Sequence, residues 1–493
     1  MNEYPLRPWP EAVEEVRAAL PADAREVYLV GGAVRDWLLG RPLYDVDLLV
    51  PRGALALART LANRLGAAFY SLDAERGFGR LVWESPRGRV FIDLAPYRGA
   101  SLEDDLRARD FTVNAMAVPL YGELRLIDPT GGLRDLREKV LRACSERAFE
   151  DDPLRVLRAV RLSALLGFRI EPHTAKLMRR AAPLLPKVSA ERTTAELFRI
   201  MSLPRPTAPL KALAELGALA HVLPELDAAR GVPHLPTSNE DLWLHSLHTT
   251  ERLVSLLEAL HPEYDQEKAA DFALGFAMVR IGRYRDRLAE HLRAGSRPDR
   301  PLRALLVLAA LYHDLGKAAE GERQGSDEHA RRGAQIAAER GRSLRLSADE
   351  ISRWKTITRY HLLPMNFTLG GRPPTGGEIY RFYRRTRDAG VDIVLISLAN
   401  MLALYGASLP HSLWQAHLET ARALLEGWWE RRDEVVDPPV LLDGNTAMQE
   451  LGLRPSPLLG ELLEAVRTAQ AEGLIATKDE AIAYARRWLD ERV

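Results

Sequence analysis

LVGGAVRDWLLGRPLYDVDLLV, residues 29–50, is the stretch whose reading decides the fold. It opens as the end of a short apolar strand, residues 27–30, turns at Gly31-Gly32 and enters a helix carrying Arg35 and Asp36. It closes as a second strand, 45–50. Strand side chains alternate between faces, so Asp45 and Asp47 share one face with Cα atoms roughly 6.6 Å apart, while Val46 and Leu48 point into a core. A DxD by itself also describes an ordinary solvent-facing strand. The glycines change its meaning, because they let the backbone approach an anion closely. The helix start adds free N–H groups and a positive dipole end. The carboxylates supply the hard oxygen ligands that Mg²⁺ requires. Metal plus phosphate is the chemistry this order of residues suits.

Outward from this stretch, residues 1–139 mix strands and helices. Candidate strands are 27–30, 45–50, 79–83, 90–95, 112–118 and 124–127, and helices fit 10–20, 33–39 and 53–65. From residue 140 the pattern is almost wholly helical and strand signals disappear. This places a helical segment at 140–238, a second compact helical domain at 239–405 and a helical tail at 406–493. Chain breakers mark the cuts: Pro204-Arg205-Pro206, then Val232-Pro233-His234-Leu235-Pro236, and Asp437-Pro438-Pro439 within the tail.

Composition bounds the rest. A chain of 493 residues holds about three domains. Acids and bases balance at 68 each, so any nucleic-acid site must be a local patch. Residues 151–200 form one, with ten Lys/Arg against five Asp/Glu. Cys144 is the sole cysteine, which excludes an intrachain disulfide and a cysteine-based zinc site. The sequence reads as having no apolar run of transmembrane length and no signal peptide, so a cytoplasmic enzyme without membrane attachment or an evident protein partner is expected.

Gly31-Gly32, Arg35-Asp36 and the DxD, in that order on strand–turn–helix–strand, resemble the nucleotidyltransferase domain of the DNA polymerase β superfamily. The stretch is more similar still to the class II tRNA nucleotidyltransferase/poly(A) polymerase family. Later segments carry the same resemblance: 102–117 (LEDDLRARDFTVNAMA), 128–136 (DPTGGLRDL), 151–161 (DDPLRVLRAVR) with Leu166-Gly167-Phe168, and 190–196 (AERTTAE). The resemblance implies a polymerase β-like α/β nucleotidyltransferase head followed by an all-α neck, an HD domain and a helical tail. It implies an enzyme that extends a tRNA 3′ end from CTP, and from ATP in some members, releasing pyrophosphate. Asp45 and Asp47 would hold two Mg²⁺ ions about 3.5–4 Å apart. Gly31, Gly32 and Arg35 would cradle the triphosphate, with Asp36, Arg109, Asp110 and Asn114 as further nucleotide-binding residues. Asp93, on another candidate strand, is either a third carboxylate that deprotonates the attacking hydroxyl or a structural acid.

Asp151, Asp152 and Arg155 lie at i,i+4 and i,i+3 spacing, which predicts one shared helix face. On that reading they form either an intrahelical salt bridge or a donor/acceptor template for a base edge. The resemblance implies the template, with Arg158 and Arg161 beside it, selecting CTP and ATP without a nucleic-acid template. The usual first residue of this motif is Glu, one methylene longer than Asp151. Members that complete CCA carry a flexible loop before the segment at Asp105-Leu106, where this chain has only residues 99–104. CC addition is therefore expected over complete CCA addition.

His245, His313-Asp314, His329 and His361 are ordered as in an HD domain. The position where that superfamily usually has a final Asp carries Asn400. The resemblance leaves open whether this site holds a divalent metal and hydrolyses phosphate esters, or is a retained scaffold. A poly(A) polymerase on the same head, and an HD phosphohydrolase with a vestigial head, are the competing readings.

Overall fold

The computed structural model describes residues 8–234, 240–264, 271–295, 297–319 and 326–491. The chain forms two compact units, 1–189 with 212–221 and 190–211 with 222–493. The boundary expected at 238 lies outside the described residues.

The first unit is built on a six-stranded sheet of order β3-β4-β5-β2-β1-β6. The strands are β1 (Tyr28–Val30), β2 (Asp45–Val50), β3 (Ala68–Asp73), β4 (Phe78–Ser85), β5 (Gly88–Pro96) and β6 (Ala117–Pro119). β2 and β5 run parallel; the other neighbours are antiparallel. Helices α1 (Glu11–Ala19), α2 (Gly32–Leu38) and α3 (Ala54–Leu65) fall among the first strands. Val46, Ile92 and Leu81 stand in one cross-strand row and are fully buried. On the same face Gly79 has no room for a side chain, since a Cβ there would lie 2.9 Å from Ala58 Cβ of α3. Each such buried aliphatic contributes roughly 1.5–3 kcal/mol. That burial fixes the register, and the register puts the next row, Asp47, Asp93 and Arg80, on the opposite face.

Several expectations need correction. β3 is mostly exposed, so it lacks the apolar alternation that reveals a strand. Residues 112–118 are not one strand: Thr112–Asn114 is a tight helical turn and only β6 follows. The buried Asn114 side chain donates back to Asp110, four residues earlier, a local bond that competes with a ladder. Of 124–127 only Ile127 pairs, as a single bridge to Ala117. Strands do not end at 140, because β7 (Val140–Leu141) and β8 (Arg169–Ile170) form a parallel pair too short to leave a periodic signal. This unit also contains α4 (Leu102–Arg107), α5 (Gly132–Arg137), α6 (Ala148–Asp151) and α7 (Arg155–Leu166).

The second unit is helical throughout its described residues. Helix Leu242–Ala259 packs against Leu302–Tyr312 and Ala389–Tyr405. The last of these is buried from Ala389 to Leu402. Contrary to expectation, the stretch Ala389–Ser408 is long and apolar enough to cross a membrane, but 78% of its apolar window is buried inside the protein. It also carries Asp392, fully buried and bonded to Arg353 and His291. Burial pushes that carboxyl up, and Arg353 and His291 outweigh it, holding it below the usual range.

Candidate active site

Three carboxylates share one face of the sheet in the first unit. Asp45 is exposed and Asp47 half-buried on β2, and Asp93 is the direct neighbour of Asp47 on β5. Burial, then the charges of Asp93 and Asp45, push the Asp47 carboxyl up to about 6, against the pull of Arg109. Arg80 on β4 closes the row, donating from Nε and Nη2 to the two oxygens of Asp93, each at 2.7 Å. Arg80 was invisible in the sequence, because only strand register pairs it with Asp93. With Asp93 taken up by Arg80, the carboxylates of Asp45 and Asp47 are the pair whose hard oxygens fit a divalent cation.

Gly31 sits at the turn with φ +70°. A Cβ here would lie 2.7 Å from Arg109 Nη1 and 3.4 Å from Asp47 Oδ2. Glycine is thus required both by the backbone and by the guanidinium that closes over it. Arg109 is held from behind by Asp105, at 3.0 Å. Gly32 begins α2.

Arg35 does not extend toward a phosphate. It is buried, and it donates to Asp36 at 3.0 and 2.7 Å and to Asn114 Oδ1. Asn114 donates to Asp110 at 3.1 Å, and Arg158 of α7 donates twice to Asp110 Oδ2, at 3.0 and 2.7 Å. Burial raises Asp110, but Arg158 and these hydrogen bonds hold it below the usual carboxylate range. Arg35, Asp36, Asn114, Asp110 and Arg158 therefore form one continuous polar network joining α2, the 112–114 turn and α7.

The shared helix face expected for Asp151, Asp152 and Arg155 is absent. α6 ends at Asp151, Asp152 is extended (φ −147°, ψ 97°), and α7 starts at Arg155. The cause is Pro153, whose ring drives the preceding residue out of helical geometry. Exposed Asp151 lies 3.4 Å from Arg147. Arg155 donates to the carbonyls of Ala108 (3.0 Å) and Ala148 (3.1 Å). It thereby ties the end of α4 to α6. Arg161 lies half-buried on α7.

A second cluster lies inside the helical unit. Asp314 is its centre. Lys317 Nζ is 2.6 Å and His234 Nε2 3.0 Å from its Oδ2, and His361 Nε2 3.2 Å and His329 Nε2 3.4 Å from its Oδ1. His245 Nε2 lies 3.0 Å from Asn400 Oδ1 and 3.9 Å from Asp314. The ring of His234 stacks on His245 with centroids 3.6 Å apart. All six candidates named from the sequence are therefore brought together, and His234 and Lys317 join them. His234 was read only as part of a proline-rich breaker. Nδ1 of His313 lies 2.7 Å from Ala310 O and Nδ1 of His361 2.8 Å from Thr358 O, which turns each Nε2 inward as an acceptor. Nε2 of His313, Nε2 of His329 and Nδ1 of His245 are buried without a hydrogen-bond partner. The orphaned Nε2 atoms of His313 and His329, 3.5 and 3.4 Å from the Asp314 carboxylate, fit a divalent metal, whereas Nδ1 of His245 faces Glu240 at 3.8 Å. Burial pushes His313 down to about 4 and His245 to about 2, so both are neutral, as metal ligands must be.

Known proteins are similar to this chain in sequence and fold. The family model for the Poly A polymerase head domain matches residues 27–142. That for the probable RNA and SrmB-binding site of polymerase A matches 167–230, and that for the HD domain 278–394. The chain is 33% identical to an A-adding tRNA nucleotidyltransferase of Deinococcus radiodurans, over 96% of this chain and 98% of that one. It is 31% identical to a CC-adding tRNA nucleotidyltransferase of Geobacter sulfurreducens, over 93% and 90%. Among solved structures it resembles a CCA-adding enzyme in its apo form, with TM-score 0.60 and 20% identity over 96% of this chain and 92% of that one. It also resembles the Thermotoga maritima CCA-adding enzyme complexed with tRNA, with TM-score 0.56 and 20% identity over 98% and 97%. A sheet presenting paired carboxylates beyond a glycine turn, followed by helices with an HD cluster, defines a nucleotidyltransferase. The chain belongs to the tRNA nucleotidyltransferase/poly(A) polymerase family.

Proposed function

We propose that this enzyme adds nucleotides to the 3′ end of tRNA without a template, using CTP, and stops after two cytidines. The observation that carries the stopping point is the link between β5 and α4. Only residues 97–101 separate Pro96 from Leu102. The link is pinned: Ser101 and Asp104 form a reciprocal capping box, and the Arg98 N–H donates to Asp105 at 3.1 Å. A Cβ on Gly99 would lie 2.7 Å from Asp104 Cβ. Such a turn has no slack with which to remodel the site for a second base.

In this reading Asp45 and Asp47 would hold Mg²⁺, as two ions. Bound there, the metal supplies Lewis-acid stabilisation of charge on the triphosphate. Asp93, its plane fixed by Arg80, accepts the proton of the attacking 3′-hydroxyl. The new bond joins that oxygen to the α-phosphorus, and pyrophosphate leaves. Arg109 offsets phosphate charge across the open backbone of Gly31. Asp151, Asp152 and Arg155 choose the base, with Arg155 exchanging its backbone carbonyls for the nucleotide. Arg161 belongs to the same nucleotide-facing region. The four-part division at 139, 238 and 405 and a cytoplasmic place of action are part of this proposal.

The 33% identity to an A-adding relative favours a second reading, addition of the terminal A. One assay separates these. tRNAs ending before the CCA, after C and after CC are incubated with CTP, ATP or both, and their ends are sequenced. CC addition predicts two cytidines and no adenosine. Efficient adenosine addition after CC refutes it, and long tails from ATP alone would indicate poly(A) synthesis. Asp45→Ala and Asp47→Ala should each abolish extension while tRNA binding persists. For the HD cluster we propose a divalent-metal site, with phosphate-ester hydrolysis as the activity to assay.

A further inference from the structure

The helix Gly376–Thr386 ends at Arg387, whose backbone stands at φ +51°, ψ −136°. This is a conformation that L-residues with a Cβ adopt only under strain. The following helix, Ala389–Tyr405, ends in nearly the same conformation (φ +51°, ψ −128°), and there the residue is Gly406. Arg387 is locked into its corner by two hydrogen bonds, from its N–H to Tyr383 O at 2.7 Å and from Gly390 N–H to its own carbonyl at 3.1 Å. Glycine would make the same corner without the strain. An arginine standing where glycine fits better points to work done by its side chain.

Arg387 lines two grooves of the helical unit, of about 770 and 800 Å³. In the first, Asp388 is neutralised by Arg353 at 2.6 Å. Asp349 is the unpaired acid there, set against Arg297, Arg385 and Arg387. In the second, Asp437 is neutralised by Arg432 at 2.8 Å, and Glu464 lies 3.2 Å from Tyr380 Oη and 3.8 Å from Arg384. The Arg432 guanidinium lies 4.1 Å from the centre of the half-buried Trp428 ring. The guanidiniums of Arg385 and Arg387 have no ion-pair or hydrogen-bond partner among the described residues. Paired acids, unpaired planar guanidiniums and an aromatic ring along two grooves that share Arg387 suit an RNA backbone.

We propose that Arg387 and Arg385 bind phosphates of the tRNA body along these grooves, an assignment that rests on the tRNA reading above. The test uses the full chain and exploits the strain. Arg387→Gly should keep the melting temperature at or above wild type, because it relieves the backbone. It should nevertheless weaken tRNA binding about fivefold and lower the slope of log K against log salt by about 1. Arg385→Ala, which leaves the corner untouched, should do the same to binding. Arg342→Ala, an exposed arginine on another helix of this unit, should leave binding unchanged. Unchanged affinity and salt slope in both Arg387→Gly and Arg385→Ala overturn the proposal, and a clear fall in melting temperature for Arg387→Gly overturns its strain argument. Failure of the wild-type chain to extend tRNA would instead count against the tRNA reading, while the filter-binding slopes still decide the two arginines.

Discussion

Replacing Arg158 by Met tests whether the polar network joining α2, the 112–114 turn and α7 is structural. Asp110 is only 8% exposed, and its Oδ2 takes both hydrogen bonds from Arg158, at 3.0 and 2.7 Å. Its Oδ1 is already used by Asn114 at 3.1 Å and by the Phe111 N–H at 2.9 Å. Removing the guanidinium leaves Oδ2 charged and unpaired. Breaking a fully buried ion pair from one side costs about 3–5 kcal/mol. The Arg158 side chain is 34% exposed, so water can partly replace it, and about 2–3 kcal/mol remains. That corresponds to a fall in melting temperature of about 6 °C for the unit. Asp110→Asn should cost a similar amount, since its amide hydrogens would face those of Arg158. The double substitution should cost less than the sum, with a coupling of about 2 kcal/mol. Thermal and urea unfolding of the four proteins, followed by CD, measure the cycle. CTP and tRNA kinetics run alongside. A loss below about 1 °C for Arg158→Met, together with a raised KM for CTP, would refute the structural assignment and return Arg158 to the nucleotide.

Other outcomes follow from single contacts. Gly31→Ala should lower kcat at least about tenfold and cost about 1–3 kcal/mol, because the new Cβ meets Arg109 at 2.7 Å on a strained backbone; wild-type kinetics would exclude that crowding. Buried His417, between Thr368 (2.7 Å) and Ser397 (3.2 Å), is pushed down to about 4 by burial. Its unfolded value is near 6.5, so the unfolded chain binds the extra proton, and stability present above pH 6.5 is lost on acidification toward pH 4, by about 3 kcal/mol. His417→Gln should flatten that acid limb of the melting-temperature profile, and an unaltered limb would assign it elsewhere. Elemental analysis of the purified chain should find divalent metal that His313→Ala removes and Asn400→Asp retains more tightly, with nucleotide addition unaffected. Metal-free wild type after saturation and dialysis would leave the cluster a scaffold.

The sequence by itself determined the family and which carboxylates the head sets on one face. Residues that act within one local unit, such as Gly31-Gly32 followed by Asp45 and Asp47, keep a spacing set by strand and turn geometry, and spacing is visible in a string of letters. His313-Asp314 is legible for the same reason. Tertiary structure decided what depends on partners far along the chain. Arg80 meets Asp93 only through antiparallel register, Arg35 is consumed by Asn114, and His234 reaches Asp314 across 80 positions. Helical spacing misled at Asp151 to Arg155, where one proline breaks the helix that the periodicity assumes. The strain at Arg387 is likewise beyond sequence, because φ is fixed by how two helices close a corner and not by the residue that occupies it.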